Sequence, residues 1–276
     1  MSLYVRKYDL KSKQVKCYYK NADESMWAEA FSKKKIDKNL WSKNSSMDYF
    51  IKKFKIKKNA KTLEAGCGIA QNVYYLHTKG LDSYGVDFSE DIVKRVNTEL
   101  SELKVSVDDV RKLKFKDDFF DVYFSFGVIE HFEDGFDDII KEAIRVTKPG
   151  AILVINFPYM NPLRRLKAKL GFYDAKIKKN QDFYQFYLDS RRALKVLKEN
   201  GARKLKIYRT GGIPGFKSEM PKASFLIRLF EKNRYTNLAL NLFLGLFMSY
   251  SISLVCVNEK KSKNNKKENK IKKIIN

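Results

Sequence analysis

Thr62-Leu63-Glu64-Ala65-Gly66-Cys67-Gly68 is the stretch from which the fold can be read. A short apolar strand runs into a turn with two glycines one residue apart, and the segment 71–79 that follows reads as a helix. Glycine at 66 and 68 lets the backbone approach a ligand where any Cβ would collide. The helix start behind it offers unpaired N–H groups. A dinucleotide-binding turn wants Gly-x-Gly-x-x-Gly at this point. Here the run is Gly66-Cys67-Gly68-Ile69-Ala70-Gln71, without a third glycine and with Glu64 just ahead of it. A carboxylate there repels a pyrophosphate and suits a cationic group.

Outward from this turn, strands and helices alternate. Strands are expected at 61–65, 83–87, 104–107, 120–126 and 151–157. Helices are expected at 91–102, where Ile92, Val93, Val96 and Leu100 form one apolar stripe, and at 136–146. Such alternation implies βαβ units, right-handed crossovers and a parallel sheet. Beyond Pro158 a basic, aromatic stretch runs to 187. A helix at 190–200 stops at Gly201, a strand follows at 203–209, and 210–221, with three glycines and two prolines, reads as a loop. Segment 222–232 looks helical. Segment 235–258 has no charged residue. It is long enough to span a bilayer, but Ile252, Leu254 and Cys256 alternate with Ser251, Ser253 and Val255, which favours a helix at 237–247 followed by a strand at 250–257. The expected organisation is a single domain over 1–258, with an N-terminal helical cap (1–60), an insertion or lid (158–187), a second insertion (210–248) and a disordered basic tail (259–276).

Three further elements sit at the ends of expected strands, where open α/β sheets bind ligands. Asp87 closes the second strand and is placed to accept bonds from two ribose hydroxyls. Asp108-Asp109-Val110-Arg111 follows the third, where a carboxylate can accept a bond from an adenine amino group. Ser125-Phe126-Gly127-Val128-Ile129-Glu130-His131 follows the fourth. Together with Glu64 and the glycine turn, this ordered set over 61–157 resembles the class I S-adenosylmethionine (SAM)-dependent methyltransferases, in particular the methyltransferase-11-type group with Glu-x-Gly-Cys-Gly-x-Gly and a later Val-(Ile/Leu)-Glu-His segment. The resemblance implies an α/β, doubly wound, Rossmann-like sheet of seven strands, mostly parallel with the last antiparallel. It implies SAM as cofactor, S-adenosylhomocysteine as product, and cofactor contacts at Glu64, Gly66, Cys67, Gly68, Asp87, Phe88, Asp109, Val110 and Ser125. Ala70 departs from the pattern, in which a third glycine is common, and a slightly altered turn is expected there.

The methyl group is electrophilic in the cofactor itself, so the chain must chiefly orient an acceptor and exclude water. His131 is the candidate general base; orienting a loop and touching the cofactor are its other readings. Acceptor contacts are expected from Tyr18, Tyr19, Trp27 and Trp41 and from the insertion, with Tyr159, Phe183, Tyr184 and Tyr187. The expected acceptor is a small molecule, lipid or glycan; RNA methylation and a non-catalytic SAM-binding role are the alternatives.

Charge divides the chain. Residues 1–61 carry a net +11, 62–155 a net −7 and 156–276 a net +20. One reading is an anionic partner, a membrane surface or RNA included, contacted through Arg164, Arg165, Lys167 and Lys169 over the cleft. The other is a Lys/Asn/Ile-rich composition without a partner. Three scattered cysteines without a Cys-x-x-Cys pair argue against a structural zinc site and for a reducing setting, cytoplasmic or at the membrane periphery.

Overall fold

The computed structural model describes residues 5–20, 22, 24–228 and 233–260. The central sheet has seven strands. In chain order they are β3 (Lys61–Ala65), β4 (Asp82–Asp87), β5 (Lys104–Val107), β6 (Phe120–Phe126), β7 (Thr147–Pro158), β9 (Ala202–Thr210) and β10 (Ser251–Asn258). Their spatial order is β5-β4-β3-β6-β7-β10-β9. Pairs from β5 to β7 are parallel, whereas β10 runs antiparallel to both β7 and β9. This is the expected sheet, with its last strand reversed.

Helices cover both faces. On one, α3 (Ser45–Lys53) and α4 (Gln71–Thr78) bury Met47, Phe50, Tyr75 and Leu76 against Val122, Phe124, Val154 and Val255. On the other, α6 (Asp137–Val146) and α8 (Ser190–Glu199) pack Ile139, Ile140, Ala143, Val196 and Leu197 onto Tyr123, Leu153 and Ile155. From Val122 on, alternate residues of β6 therefore serve opposite cores, as the two-residue strand period requires. Helix α5 (Glu90–Glu99) uses Ile92, Val93 and Val96 as its inward stripe.

The N-terminal segment departs from the helical cap expected over 1–60. It opens as a hairpin, β1 (Val5–Asp9) and β2 (Gln14–Lys20), and only then turns helical in α1 (Glu24–Ser32), α2 (Lys38–Trp41) and α3. Strand β2 pairs antiparallel with β8 (Gln181–Tyr187) from the insertion, making a second, three-stranded sheet. Val15 and Cys17 alternate inward with Lys16 and bury against Met160, Tyr173 and Tyr187. The partner strand lies some 170 residues away, so local pattern alone gave little sign of it.

The second insertion differs as well. The Gly/Pro-rich loop expected at 210–221 is mostly helix, α9 (Gly212–Glu219). Its glycines serve helix packing: a Cβ on Gly212 would lie 2.1 Å from the Asn241 carbonyl oxygen, and one on Gly215 1.6 Å from that of Met248. Both belong to α10 (Arg234–Met248), so backbone meets backbone there. The described part of 222–232 is a 3-10 turn, Pro221–Ile227. No helix among the described residues is long and apolar enough to cross a membrane, and 235–258 divides into α10 and β10. The tail from 261 lies outside the described residues.

Three of the four basic residues that the sequence places over the cleft, Arg164, Arg165 and Lys167, are occupied with structure; Lys169 is exposed. Arg164, on α7 (Pro162–Lys169), is fully buried and donates from Nε to Glu219 Oε1 at 2.8 Å and from Nη1 to the Tyr159 carbonyl at 2.6 Å. Arg6 and Lys167 reach the same carboxylate at 3.0 Å, and Tyr173 donates its hydroxyl to it at 2.5 Å. Arg165 pairs with Asp189 at 3.1 Å. Burial works to raise the Glu219 carboxyl, but Arg164 and Arg6 outweigh it and hold it down at about 2. One carboxylate thus ties hairpin, lid and second insertion together. Glu219→Ala leaves three cations facing one another in the interior and should cost about 3–5 kcal/mol, the range for breaking a buried pair. Urea unfolding checks this; a loss below about 0.5 kcal/mol, the surface-substitution range, contradicts the assignment.

Candidate active site

The glycine turn leaves β3 at its carboxyl end and runs left-handed at Gly66 (φ +77°), Gly68 (φ +51°) and Ala70 (φ +62°). Two N–H groups, of Gly66 and Cys67, donate to the Val86 carbonyl at 2.8 and 2.9 Å. There is no room for side chains at the glycines: a Cβ on Gly66 would meet Val128 Cγ2 at 2.3 Å, and one on Gly68 the Phe31 ring at 2.9 Å. Ala70 keeps the left-handed turn that a third glycine would make, at a cost of about 1–2 kcal/mol for an L-residue. The turn is strained by that substitution and keeps its course.

Asp87 clamps this turn. Its Oδ2 accepts from Gly68 N at 2.8 Å and its Oδ1 from Ser89 N at 3.1 Å. The carboxylate is buried, which raises its pKa against the pull of those N–H bonds. Asp87 is therefore a structural clamp before any hydroxyl reaches it. Phe88, beside it, is half exposed. After β5, Asp108 is consumed internally, accepting from Asp109 N at 3.0 Å and Lys114 N at 2.8 Å. Asp109 stands at the surface, paired with Arg111 at 2.8 Å. Val110 is buried in the core beneath, and Ser125, at the end of β6, is buried with an unpartnered Oγ. Cys67 packs its thiol where a Gly85 Cβ would lie, 2.8 Å from Sγ, and burial pushes its pKa well up, which makes it a packing residue.

Glu64 is the most unusual group. It is buried at the end of the central strand. Asn72 Nδ2, from the first turn of α4, donates to Oε1 at 2.6 Å, while Oε2 has no partner. Burial, assisted by the Asp87 charge and resisted by the bonds from Asn72 and Val73, lifts its carboxyl to about 8. An orphaned carboxylate oxygen is costly in an apolar interior and is accounted for by a missing donor. The fit to SAM rests on this oxygen and on the cradle at Gly66 and Gly68.

A second buried carboxylate lies after β6. Glu130, in the 3-10 turn Ile129–His131, also has an unpartnered Oε2, and burial lifts it to about 8. The sequence reading passed over it in favour of its neighbour. His131 Nδ1 lies 2.6 Å from the Tyr184 carbonyl oxygen. A carbonyl only accepts, so Nδ1 carries the hydrogen and Nε2 bears a lone pair. Burial holds this imidazole at about 4, so it is neutral at pH 7.

An aromatic wall surrounds it. Trp27 from α1 meets the His131 ring edge-on at 4.7 Å and stacks on Tyr184 at 5.7 Å, and Tyr19 lies 6.1 Å from Tyr184. Arg95 pins α1 there by donating to the carbonyls of Phe31, Ser32 and Lys34 at 2.9, 3.2 and 2.9 Å. Trp27, Tyr19 and Tyr184 are thus gathered in one wall. Trp41 is buried in a helical core and Tyr187 lies under Arg164, 3.7 Å from ring centre to guanidinium carbon; neither belongs to the wall.

Residues 63–155 match the family model described as a methyltransferase domain. Norajmaline N-methyltransferase of Rauvolfia serpentina is 33% identical over 113 residues, covering 38% of each chain. 2-methyl-6-phytyl-1,4-hydroquinone methyltransferase of Synechocystis is 39% identical over 98 residues, 34% of this chain and 30% of that one. The chain thus spans well under half the length of these curated relatives. Among solved structures, Haemonchus contortus phosphoethanolamine N-methyltransferase 2 with bound SAM superposes at TM-score 0.54 with 18% identity, covering 79% of this chain and 53% of that one. A SAM-dependent methyltransferase of Methanosarcina mazei gives 0.54 with 15% identity, over 76% and 98%.

The Glu64 carboxyl sets a pH test. Folding raises it from 4.5 to about 8, so between those values the native state holds the extra proton. Stability therefore falls as pH rises through this window, and the penalty is complete above it. Glu64→Gln should be more stable than the parent protein at pH 8.5, by on the order of a few kcal/mol, and unfold at a higher temperature, with the gap closing towards pH 5. A gap that is constant or opposite in sign contradicts the burial of an ionisable group there.

Proposed function

We propose, from the premise that residues 63–155 form a class I methyltransferase domain, that this protein transfers a methyl group from SAM to a small-molecule acceptor. The observation that carries the reading is the unpartnered Glu64 Oε2 beside a left-handed glycine turn. The cofactor supplies an electrophilic sulfonium methyl. Glu64 holds the cationic amino end, and the glycine turn at Gly66, Cys67 and Gly68 lies along it. Asp87 accepts from the ribose, Phe88 covers an adenine face, Asp109 takes the adenine amino group, and Val110 and Ser125 complete the floor.

The acceptor sits under the wall of Trp27, Tyr184 and Tyr19, which excludes water. His131, neutral with a lone pair on Nε2, holds the proton that leaves the acceptor. The aromatic lining favours an apolar or amine-bearing small molecule over RNA, and Arg164, Arg165 and Lys167, three of the four basic residues behind the polyanion reading, are engaged with Glu219 and Asp189. Three buried free cysteines support a reducing, cytoplasmic setting.

Transfer of a labelled methyl group from SAM into a fractionated cell extract tests the reading. Label should enter the small-molecule or lipid fraction; label in RNA alone, or none anywhere with S-adenosylhomocysteine unbound, overturns it. His131→Gln should lower turnover about 10²–10⁴-fold, the range for a lost general base, with S-adenosylhomocysteine affinity unchanged. Undiminished turnover assigns His131 to orienting the lid through Tyr184.

A further inference from the structure

Helix α10 is apolar on both faces. Its inner face, Leu240, Leu244, Gly245 and Met248, packs on α9 and the 3-10 turn after it. Its outer face carries Leu238, Leu242, Phe243, Leu246 and Phe247, all exposed, Phe243 to 62%. These recur at the i, i+4, i+5, i+8 and i+9 spacing of one continuous helical stripe. Phe225 and Leu226, just upstream, are exposed as well. A contiguous apolar surface of this kind marks an interaction site.

The position of the stripe is fixed by the fold. Helix α10 leads into β10, whose first residue, Ser251, pairs with Pro158 at the carboxyl end of β7. The stripe therefore lies at the end of the sheet where the cleft opens. It is also rigidly held. Asn161 Nδ2 donates to the Ser249 carbonyl at 2.9 Å, and α9, on which α10 packs, ends in Glu219 with its three cations.

Charge selects the partner. From Met220 to Asn258 the sequence has four basic residues and one acidic one, all at or before Arg234. Lys222, Arg228 and Arg234 are exposed. The stripe thus has a cationic collar at its start and no charge along its length. A second copy would bring a like-charged collar and a like net charge of +24 against it. An anionic bilayer meets both features, taking the side chains into its acyl boundary and the collar among its headgroups. At 15 residues α10 is about 22 Å long, too short to span the hydrocarbon core.

We infer that the outer face of α10 docks this protein in the plane of an anionic membrane, with the cleft turned towards the lipid. Together with the proposed methyl transfer, on which this last step rests, it makes a lipid-dissolved molecule the class of acceptor the cleft receives. The docking itself is independent of that reading.

Flotation of the full chain with vesicles tests it. Vesicles of phosphatidylcholine alone are compared with vesicles containing about one-third phosphatidylglycerol, at low and high salt. The parent protein should float with the anionic vesicles, less with the neutral ones, and less at high salt. Leu242→Ser/Phe243→Ser/Leu246→Ser, on the solvent face, should lose about tenfold or more in partitioning while keeping S-adenosylhomocysteine affinity and unfolding temperature. A parent protein that never floats, or a triple variant that floats equally, overturns docking. So does a parent dimer in light scattering that the triple variant converts to monomer, because the stripe is then a contact between copies. Vesicle binding without S-adenosylhomocysteine binding leaves the docking standing and removes the methyl-transfer reading.

Discussion

A carboxyl group buried at the carboxyl end of the central strand is the constraint around which the site is built. Glu64 gives one oxygen to Asn72 and leaves the other without a donor. Folding would be easier with an apolar residue there, since burial, assisted by the Asp87 charge, lifts the group to about 8. The turn beside it is tightly held. The glycine turn curls away left-handed, Asp87 ties it by Gly68 N, and Phe31 and Val128 fill the places where Cβ atoms would stand. Strain at a site of this kind, Ala70 included, is offset by the rest of the fold.

The 158–187 insertion has a similar dependence on one acidic residue. Glu219, at the end of α9, gathers Arg6 from the hairpin and Arg164 and Lys167 from α7. This is how the hairpin, the 158–187 insertion and the second insertion, none of which belongs to the central sheet, are held at its carboxyl end. Through the hairpin and β8 the lid fixes Tyr184, whose carbonyl sets the His131 tautomer. A network far from the glycine turn thereby orients the one imidazole at the cleft.

What the sequence made legible was what depends on neighbours along the chain. Strands 61–65, 83–87, 104–107 and 120–126 are visible as short segments between turns, and the four carboxyl-end motifs follow from them. What stayed hidden depends on distant partners. The hairpin at 5–20 is stabilised by β8, far along the chain. Gly212 and Gly215 look like loop residues until α10 shows that they make space for backbone contact. Arg164 looks like a surface cation until Glu219, 55 residues on, draws it inside. Glu130 carries no local sign of burial, and only the packed turn reveals its unpartnered oxygen.

The central claim is that Glu64 Oε2 awaits a cationic donor. Calorimetry of S-adenosylhomocysteine against its analogue lacking the α-amino group, at pH 7, tests it directly. The amine should bind about a hundredfold more tightly or better, the size of a buried charge-assisted bond, and should release about one proton from Glu64 as it binds. Equal affinities for the two compounds, with no proton released, would contradict the account.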